Sequence, residues 1–427
     1  DGKWQPNELG SIWVVDDPAI RKSEQRKQVA KLLRSDFGSH TNSFLVYLLA
    51  HPDQRLRLEA QFELAKRDRF DELLGLATNP KGDRLARVHA MWGLGQLGAD
   101  RQRDERLAKR LPFADNDPEI RAQSAKLAGT RALTSAAHRL VDLLHDKSAR
   151  VQFHSAIALG QAGSPKTAPQ LIALLERNND KDAYIRHAAI MGLTGSAYPE
   201  QLTALSSHSS AAVRVAAVAT LRRLRHTGAG EFLNDESDWV LREAISAIHD
   251  DESIPEALPS VAALLPGSNH TSEAITRRLL SANLRVGGSE NAQRLIDYAL
   301  DKTHPDAMRA EALLCLRDWD RRPFIDRVEG RVRTLSQRDD RLAKRLVEAN
   351  LQKLFEASDG EMLAELIRLC ERLEINLGAG PLLVIARSES QDLKARVQAV
   401  QSITGQEDIA QPPLDLTGNR HSQIQVA

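Results

Sequence analysis

The chain has 427 residues, with 58 basic and 58 acidic side chains, and its formal net charge is zero. This balance excludes the overall positive charge of a dedicated nucleic-acid-binding protein, although a local basic face remains compatible with it. Aromatic residues make up only 4% of the sequence, which favours helices over large all-β domains. Because the sequence contains no run of about 18 apolar residues, we expect no transmembrane segment.

The first 20 residues differ in character from the rest of the chain. They include Ser11–Val15, in the stretch LGSIWVVDDP, which is the best strand candidate in the sequence. The opening DGKWQPNELG resembles neither an initiator methionine nor a signal peptide. We therefore expect a piece of a longer protein or a processed form, in which residues 1–20 are a lead segment or the end of a preceding domain.

A recurring phrase fills residues 21–405. It consists of an aspartate, an apolar residue followed by arginine, a small residue, and an apolar run that ends in glycine, as in GDRLARVHAMWGLGQLG and DKDAYIRHAAIMGLTG. From the first clear copy to the seventh, consecutive copies lie 28 to 34 residues apart. A period in this range is typical of stacked supersecondary units. The arginine position of these copies is occupied by Arg57, Arg87, Arg121, Gln152, Arg186, Arg214 and Arg242.

Each copy has the pattern of two helices. In one copy, small and aliphatic residues recur at helical spacing at Ile185, Ala188, Ala189 and Leu193, and we find no convincing strand inside the repeats. Two helices of about a dozen residues cannot bury their apolar faces alone, so they must stack on neighbouring pairs. The sequence therefore predicts an all-α fold, an α-solenoid of about ten helical pairs over residues 21–405, with a short N-terminal strand-like lead.

Six copies place an aspartate four residues before an arginine. An aspartate at a helix start accepts hydrogen bonds from free backbone N–H groups and suits the positive end of the helix dipole. The arginine one turn later can bridge to this aspartate or to the aspartate of the next repeat. We predict a structural repeat ladder that stacks the repeats, and the alternative of a ligand-binding row of arginines stays open. The ladder comprises Asp53/Arg57, Asp83/Arg87, Asp117/Arg121, Asp182/Arg186, Asp238/Arg242 and Asp392/Arg396.

The stretch MWGLGQLG contains the G-x-G-x-x-G spacing of a dinucleotide-binding turn, at Gly93, Gly95 and Gly98. Such a turn follows a strand and opens a helix, whereas these glycines close a helical pattern. The related stretch AIALGQAG ends in Gly163 at the corresponding place. We therefore interpret Gly98 and Gly163 as helix stops that tolerate a left-handed conformation, and Gly93 as a close packing contact.

The remaining residue types with chemical potential form no recognised site. His89 and Trp92 share a helix face, and we interpret them as a packed pair rather than a ligand pair. Cys315 and Cys370 lie on apolar stripes without metal-ligand spacing, which predicts two buried thiols. H-E-x-x-H, G-x-S-x-G and P-loop motifs are absent from the sequence. We assign no catalytic, cofactor-binding or metal-binding residue and expect that this chain is not itself an enzyme.

The C-terminal residues 406–427 are polar, contain a proline pair and show no periodicity, which indicates a linker or tail.

The repeat phrase D-x-x-[VI]-R-x-x-A resembles HEAT repeats of the bacterial type. Two stretches, Leu48–Arg67 and Arg84–Gly98, resemble more specifically a family of large exported proteins of planctomycetes and their relatives, the membrane-bound dehydrogenase or haem-binding C-x-x-C-H proteins. Members of that family combine a sorbosone-dehydrogenase-like β-propeller, HEAT repeats and a c-type cytochrome domain. Gly10–Ala19 resembles the closing strand of the propeller and the exit into the repeats.

This resemblance implies HEAT-like helical pairs and a non-catalytic scaffold for protein–protein or interdomain contacts. It implies a soluble, periplasmic or otherwise exported protein whose parent is related to PQQ- or haem-linked dehydrogenases. A protein partner or flanking domains would bind the concave face of the solenoid, and we expect no nucleic acid partner.

In the alternative, the chain is a portion of a sugar or alcohol dehydrogenase-like redox enzyme whose active site and haem lie in flanking domains. A solenoid that grips the DNA backbone is a third possibility, which the balanced charge disfavours. The propeller body and the C-x-x-C-H motif are not in this sequence, so no catalytic or haem residue carries over. We therefore expect no cofactor in this chain, with haem c only in a flanking domain.

Overall fold

The computed structural model describes residues 23–404 except 267–271, 322 and 340, together with residues 17, 18 and 20. The predicted strand Ser11–Val15 and the tail 406–427 therefore lie outside the described residues. The helices are α1 (Glu24–Leu33), α2 (Asn42–Leu48), α3 (Gln54–Lys66), α4 (Phe70–Ala77), α5 (Arg84–Gln96), α6 (Arg101–Arg110), α7 (Pro118–Thr130), α8 (Ala137–Leu143), α9 (Ala149–Ala162), α10 (Ala168–Asn178), α11 (Ala183–Ser196), α12 (Pro199–Thr203), α13 (Ala211–Leu224), α14 (Asp238–His249), α15 (Leu258–Ala262), α16 (Glu273–Val286), α17 (Ser289–Leu300), α18 (Asp306–Arg317), α19 (Arg341–Ala357), α20 (Gly360–Arg372), α21 (Ala379–Arg387) and α22 (Leu393–Thr404).

The described residues form two compact units that divide between Ala197 and Tyr198. In the first unit, α3, α5, α7, α9 and α11 contact one another in this order and form one layer, against which α2, α4, α8 and α10 pack. In the second unit, α13, α14, α16, α18, α20 and α22 form the corresponding series, and α12, α15, α17 and α21 pack against members of it. This alternation confirms the predicted all-α solenoid of helical pairs.

One β-hairpin interrupts the helices and corrects the expectation that the repeats contain no strand. Strands β1 (Phe324–Asp326) and β2 (Arg331–Arg333) pair antiparallel, with Ile325 opposite Val332. The turn between them is stabilised by the Asp326 carboxylate, which accepts the backbone N–H of Val328, and by Gly330, whose φ is +66°. Each strand has only three residues, which is too short for an alternating pattern to stand out in the sequence.

Small residues allow the helices α7, α9 and α11 to pack closely side by side. A Cβ atom on Gly129 would lie 2.7 Å from the Cα of Ala158, and one on Gly195 would lie 2.0 Å from the carbonyl oxygen of Gly160. Larger side chains at these positions would therefore force the helices apart.

The predicted left-handed conformation of Gly98 and Gly163 is wrong, since neither has a positive φ. Gly163 ends α9 in an extended conformation, with a φ of −84°. A Cβ at this position would lie 2.2 Å from the carbonyl oxygen of Leu159, so the reason for glycine here is space. Gly93 does provide the expected close contact, because a Cβ there would lie 3.2 Å from the side chain of Leu73.

The two cysteines are buried free thiols, as predicted. Burial raises the pKa of Cys370 to about 12, and it raises the pKa of Cys315 well above the ordinary thiol value. Among the helices in the described ranges, none combines the length and apolar character needed to cross a membrane.

Candidate functional site

Two of the repeat arginines, Arg121 and Arg214, connect consecutive repeats through a common set of hydrogen bonds. Arg121 donates from Nε and Nη2 to the two carboxylate oxygens of Asp146, at 2.6 and 2.8 Å, and from Nη1 to the carbonyl of Asp115. Arg214 binds Asp235 in the same way, at 2.6 and 2.9 Å. Each guanidinium thus bonds the loop before its own helix and a carboxylate in the loop before the next helix of the stacked series, α9 for Arg121 and α14 for Arg214. The Arg121 guanidinium lowers the pKa of Asp146, despite the opposing effect of burial.

The other predicted arginines vary this arrangement. Arg57 donates from Nε to Nε2 of His89 at 3.0 Å and from Nη1 to the carbonyls of residues 51 and 52. Arg87 bonds Asp115, and Arg396 donates to the carbonyl of residue 386. Arg186 pairs with the aspartate at position 180, in the loop before its own helix. Arg242 is exposed at the surface of α14.

The predicted aspartates act mainly at helix starts. The side chains of Asp53, Asp83, Asp117 and Asp182 are N-caps that accept backbone N–H groups of α3, α5, α7 and α11. Asp392 accepts the backbone N–H of residue 394, whereas Asp238 is the first residue of α14 and the cap is the serine before it.

Throughout the part of the chain that the structure describes, none of the six predicted arginines forms an ion pair with the aspartate four residues before it. The acid that receives an arginine from the preceding repeat lies two residues before a helix cap instead, as Asp146 does before Ser148 and Asp235 before Ser237. The stacking role of these twelve residues stays a prediction.

In the layer α3–α5–α7–α9–α11, the helices α3, α5, α9 and α11 come second in their helical pairs, after α2, α4, α8 and α10. One side of this layer, which we call the second-helix face, is defined by Phe62, Trp92, Lys126, His154 and Tyr184. Phe62, Trp92 and Tyr184 are 48%, 37% and 75% exposed. By their spacing from the repeat arginines, Phe62, Trp92 and Lys126 occupy equivalent positions on three successive helices. The face therefore presents aromatic rings and a cation in register across neighbouring repeats.

A continuous set of hydrogen bonds fixes the side chains at the middle of this face. Trp92 donates from Nε1 to Gln123 at 2.9 Å, and Gln123 donates from Nε2 to Glu119 at 2.7 Å. Arg150 donates from Nε and Nη2 to the same carboxylate, at 2.7 and 3.0 Å. The bond from Arg150 is the main cause of the lowered pKa of Glu119. Since these four residues come from α5, α7 and α9, the network joins three repeats.

His89 lies beneath this surface as a satisfied core histidine. Its Nε2 accepts from Arg57, so its Nδ1–H donates to Gln61 at 2.8 Å. Its ring contacts that of Trp92 with centroids 4.8 Å apart and planes at 63°. Burial and the charge of Arg57 lower the pKa of His89 to about 4. This neutral, fully bonded ring matches the predicted packed pair.

A groove of about 190 Å³ opens beside the Trp92 ring, between α5 and α7. It slightly exceeds the roughly 150 Å³ of a cavity that accommodates benzene, and it is smaller than the roughly 300 Å³ at which drug-sized sites begin. The groove thus has room for one large side chain. Its lining is formed by Met91, Trp92, Gly95, Gln123, Lys126, Leu127 and Thr130.

The second unit contains a buried ionic cluster around the hairpin, which the sequence analysis missed. Arg327, in the turn, binds Glu311 at 2.7 Å and Asp318 at 2.5 Å. Arg333, on β2, binds the fully buried Asp326 at 2.8 Å. The sequence signal is the run DRVEGRVR, which places two acidic and three basic residues within eight positions.

Ser281, His249 and Asp250 stand in this cluster in the order of a serine hydrolase triad. His249 Nε2 lies 3.0 Å from the Ser281 hydroxyl, and its Nδ1 lies 2.9 Å from Asp250. However, Ser281 is buried in the middle of α16, where backbone N–H groups are used within the helix and cannot form an oxyanion hole. The carboxylate of Glu329 approaches from the hairpin, with ligand atoms within 4.8 Å of those of His249 and Asp250. Asp250 is already paired with Arg278, and Glu329 with Arg333, and these cationic partners disfavour a metal ion.

The protein-family model for HEAT repeats matches residues 105–194, which extend from α6 to α11. Similar solved structures include the Escherichia coli protein YibA, at 18% identity, which covers 60% of this chain and 97% of that one with a TM-score of 0.35. Kap121p is 13% identical, covers 90% of this chain and 47% of its own, and has a TM-score of 0.43. Human deoxyhypusine hydroxylase is 16% identical, and the match covers 73% of this chain and 98% of the hydroxylase with a TM-score of 0.23. No curated protein sequence matches the chain.

Proposed function

We propose that this HEAT-repeat chain is a non-catalytic scaffold that binds a protein partner through the second-helix face of its first unit. The observation that carries the proposal is the set of exposed aromatic side chains, Phe62, Trp92 and Tyr184, repeated along one layer of stacked helices. Tryptophan, tyrosine and arginine are enriched among the residues that dominate binding energy at protein interfaces.

The rigidity of the face supports the same proposal. The bonds from Trp92 through Gln123 and Glu119 to Arg150 hold these side chains in place before any partner arrives. Side chains that are already ordered lose less conformational entropy on binding, which favours affinity. Trp92 is therefore presented to a partner at little additional entropic cost.

The proposal that the chain is not an enzyme draws support from the two histidines that are buried in the described part of the chain, His89 and His249. His89 uses both ring nitrogens in bonds to Arg57 and Gln61, and its low pKa makes it a poor proton acceptor near neutral pH. His249 faces a serine in the interior of a helix. Neither imidazole lies beside both an accessible nucleophile and hydrogen-bond donors that could stabilise an oxyanion.

An exchange of exposed side chains tests the scaffold function. The variant Phe62→Ser/Lys126→Glu/Tyr184→Ser alters the face at three helices, and Tyr47→Ser/Lys109→Glu is the control, on exposed residues of α2 and α6 outside the layer. Both are used to capture proteins from the source cells, with quantification by mass spectrometry. We expect specific partners to be lost from the face variant and retained by the control. Equal recovery with both variants would contradict the proposal.

We also propose, more narrowly, that the scaffold belongs to an exported protein linked to a c-type cytochrome or a dehydrogenase. The resemblance of Leu48–Arg67 and Arg84–Gly98 supports this context. The alternative is a portion of a redox enzyme with its active site and haem in flanking domains. It requires the same flanking domains to be encoded in the gene. A reading frame that encodes a propeller upstream and C-x-x-C-H downstream would support this context, and a frame without either would refute it.

A further inference from the structure

We propose that the groove beside Trp92 binds an acidic peptide segment that inserts one large apolar side chain. This inference rests on the proposed scaffold function and adds the chemistry of the partner. The groove lies between two helices of the second-helix face, at the point where the network from Trp92 to Arg150 fixes its wall. Its volume of about 190 Å³ matches a single aromatic or branched aliphatic side chain.

The charges around the groove select the sign of the segment. Glu119, the carboxylate of the network, is bound by both Nε and Nη2 of Arg150, and Asp117 at the start of α7 is bound by Arg84 at 3.0 Å. Lys126, on the groove lining, is exposed and has no carboxylate partner among the described residues. A carboxylate next to the inserted side chain complements this ammonium group, whereas a basic segment would meet an unbalanced cation.

The groove has an apolar wall and a polar rim, and a hydrogen bond of Trp92 contributes to this difference. Because Gln123 occupies the Trp92 Nε1–H, the indole offers the occupant only its apolar ring surface. Met91 and Leu127 complete the apolar wall, while Lys126 supplies a polar group at the rim. An apolar centre with one charged rim residue is the arrangement of an anchor pocket in a peptide-binding surface.

A random twelve-residue peptide library displayed on phage, panned on the full chain, tests the inference. We expect enriched peptides to carry an aromatic or aliphatic residue beside aspartate or glutamate. With the synthetic form of the enriched peptide, Trp92→Ala should weaken binding about thirtyfold, as expected for an anchor contact. Lys126→Glu should weaken binding about fivefold and select lysine or arginine when it is panned in turn. The control Lys109→Glu, on α6, should bind like the unmodified chain.

Three outcomes would overturn the inference. These are the recovery of no enriched peptide, the enrichment of peptides without acidic residues, and peptide binding that neither Trp92→Ala nor Lys126→Glu changes. Because Lys126→Glu alters an exposed residue, its result does not depend on the tolerance of the core to loss of Trp92. Peptides that bind independently of the groove would leave the scaffold function standing, which the exchange of face side chains tests separately.

Discussion

Replacing Arg214 with alanine should destabilise the second unit far more than replacing Arg242, although the sequence places both at the arginine position of a repeat. Arg214 makes two charge-assisted bonds to Asp235 and donates from Nη1 to the carbonyls of residues 208 and 209, at 2.7 and 3.2 Å. The side chains of Arg214 and Asp235 are 7% and 4% exposed. Arg242 is exposed on the next helix.

The expected loss of stability follows from the Asp235 carboxylate, which loses its arginine partner in Arg214→Ala. In Arg214→Ala, the carboxylate of Asp235 stays buried and keeps only the backbone N–H of Ser237 as a donor, at 2.8 Å. Breaking a buried ion pair in this way costs about 3–5 kcal/mol. An exposed substitution such as Arg242→Ala changes stability by no more than about 0.5 kcal/mol. Both variants replace arginine with alanine in a helix, so the difference in helix propensity largely cancels.

Urea unfolding followed by circular dichroism, with hydrogen exchange to localise the effect in α13 and α14, measures this difference. Local exchange is needed because stacked repeats can unfold in parts. The double variant Arg214→Ala/Asp235→Ala should recover part of the lost stability, since it leaves no unpaired charge. Equal losses in the two single variants, or a loss below about 1 kcal/mol for Arg214→Ala, would refute the reasoning.

Three further predictions concern packing, protonation and thiols. Gly195→Ala should destabilise the first unit by about 1–3 kcal/mol because its Cβ would overlap a neighbouring helix, whereas Gly75→Ala, which meets no atom within 4 Å, should stabilise by up to about 1 kcal/mol in thermal melts. Burial lowers the pKa of His89 from 6.5 to about 4, so the unfolded state takes up a proton at a higher pH than the folded state. The free energy of unfolding should therefore be unaffected by the protonation of His89 above pH 6.5 and fall by about 2–3 kcal/mol as the pH drops towards 4. His89→Gln should remove this part of the pH dependence of the urea midpoint, and an unchanged dependence would be contrary evidence. Cys315 and Cys370 should react with a thiol reagent only after denaturant is added, and rapid labelling of the native chain would contradict their burial.

The repeat pattern revealed the helices and their stacking because the apolar periodicity and the capping aspartates are local features. Asp117 caps the start of α7, as its spacing to Arg121 indicates. The actual partner of Arg121, Asp146, comes from the next repeat and lies six residues before its arginine position, whereas the predicted ladder uses the aspartate four residues before it. Ion-pair partners depend on how helices are offset in three dimensions, and a one-dimensional pattern does not contain that offset.

The candidate site was only partly predictable for a related reason. His89 and Trp92 stand out in the sequence as a pair on one helix face, and their packing follows from this spacing. The groove beside them requires a second helix that supplies Gln123, Lys126 and Leu127, so it forms only when two repeats stack. The hairpin cluster likewise joins residues such as Asp250 and Glu329 that are far apart in the chain.

The most direct test of the central claim is site-specific photo-crosslinking in the cells from which the protein comes. Benzoylphenylalanine replaces Phe62 or Tyr184 on the second-helix face, or Tyr47 on α2, which is 68% exposed but outside the layer. We expect both face positions to crosslink to one and the same protein partner, while position 47 crosslinks to none. Crosslinks to that partner only from position 47, or from none of the three positions, would contradict a scaffold that binds through this face.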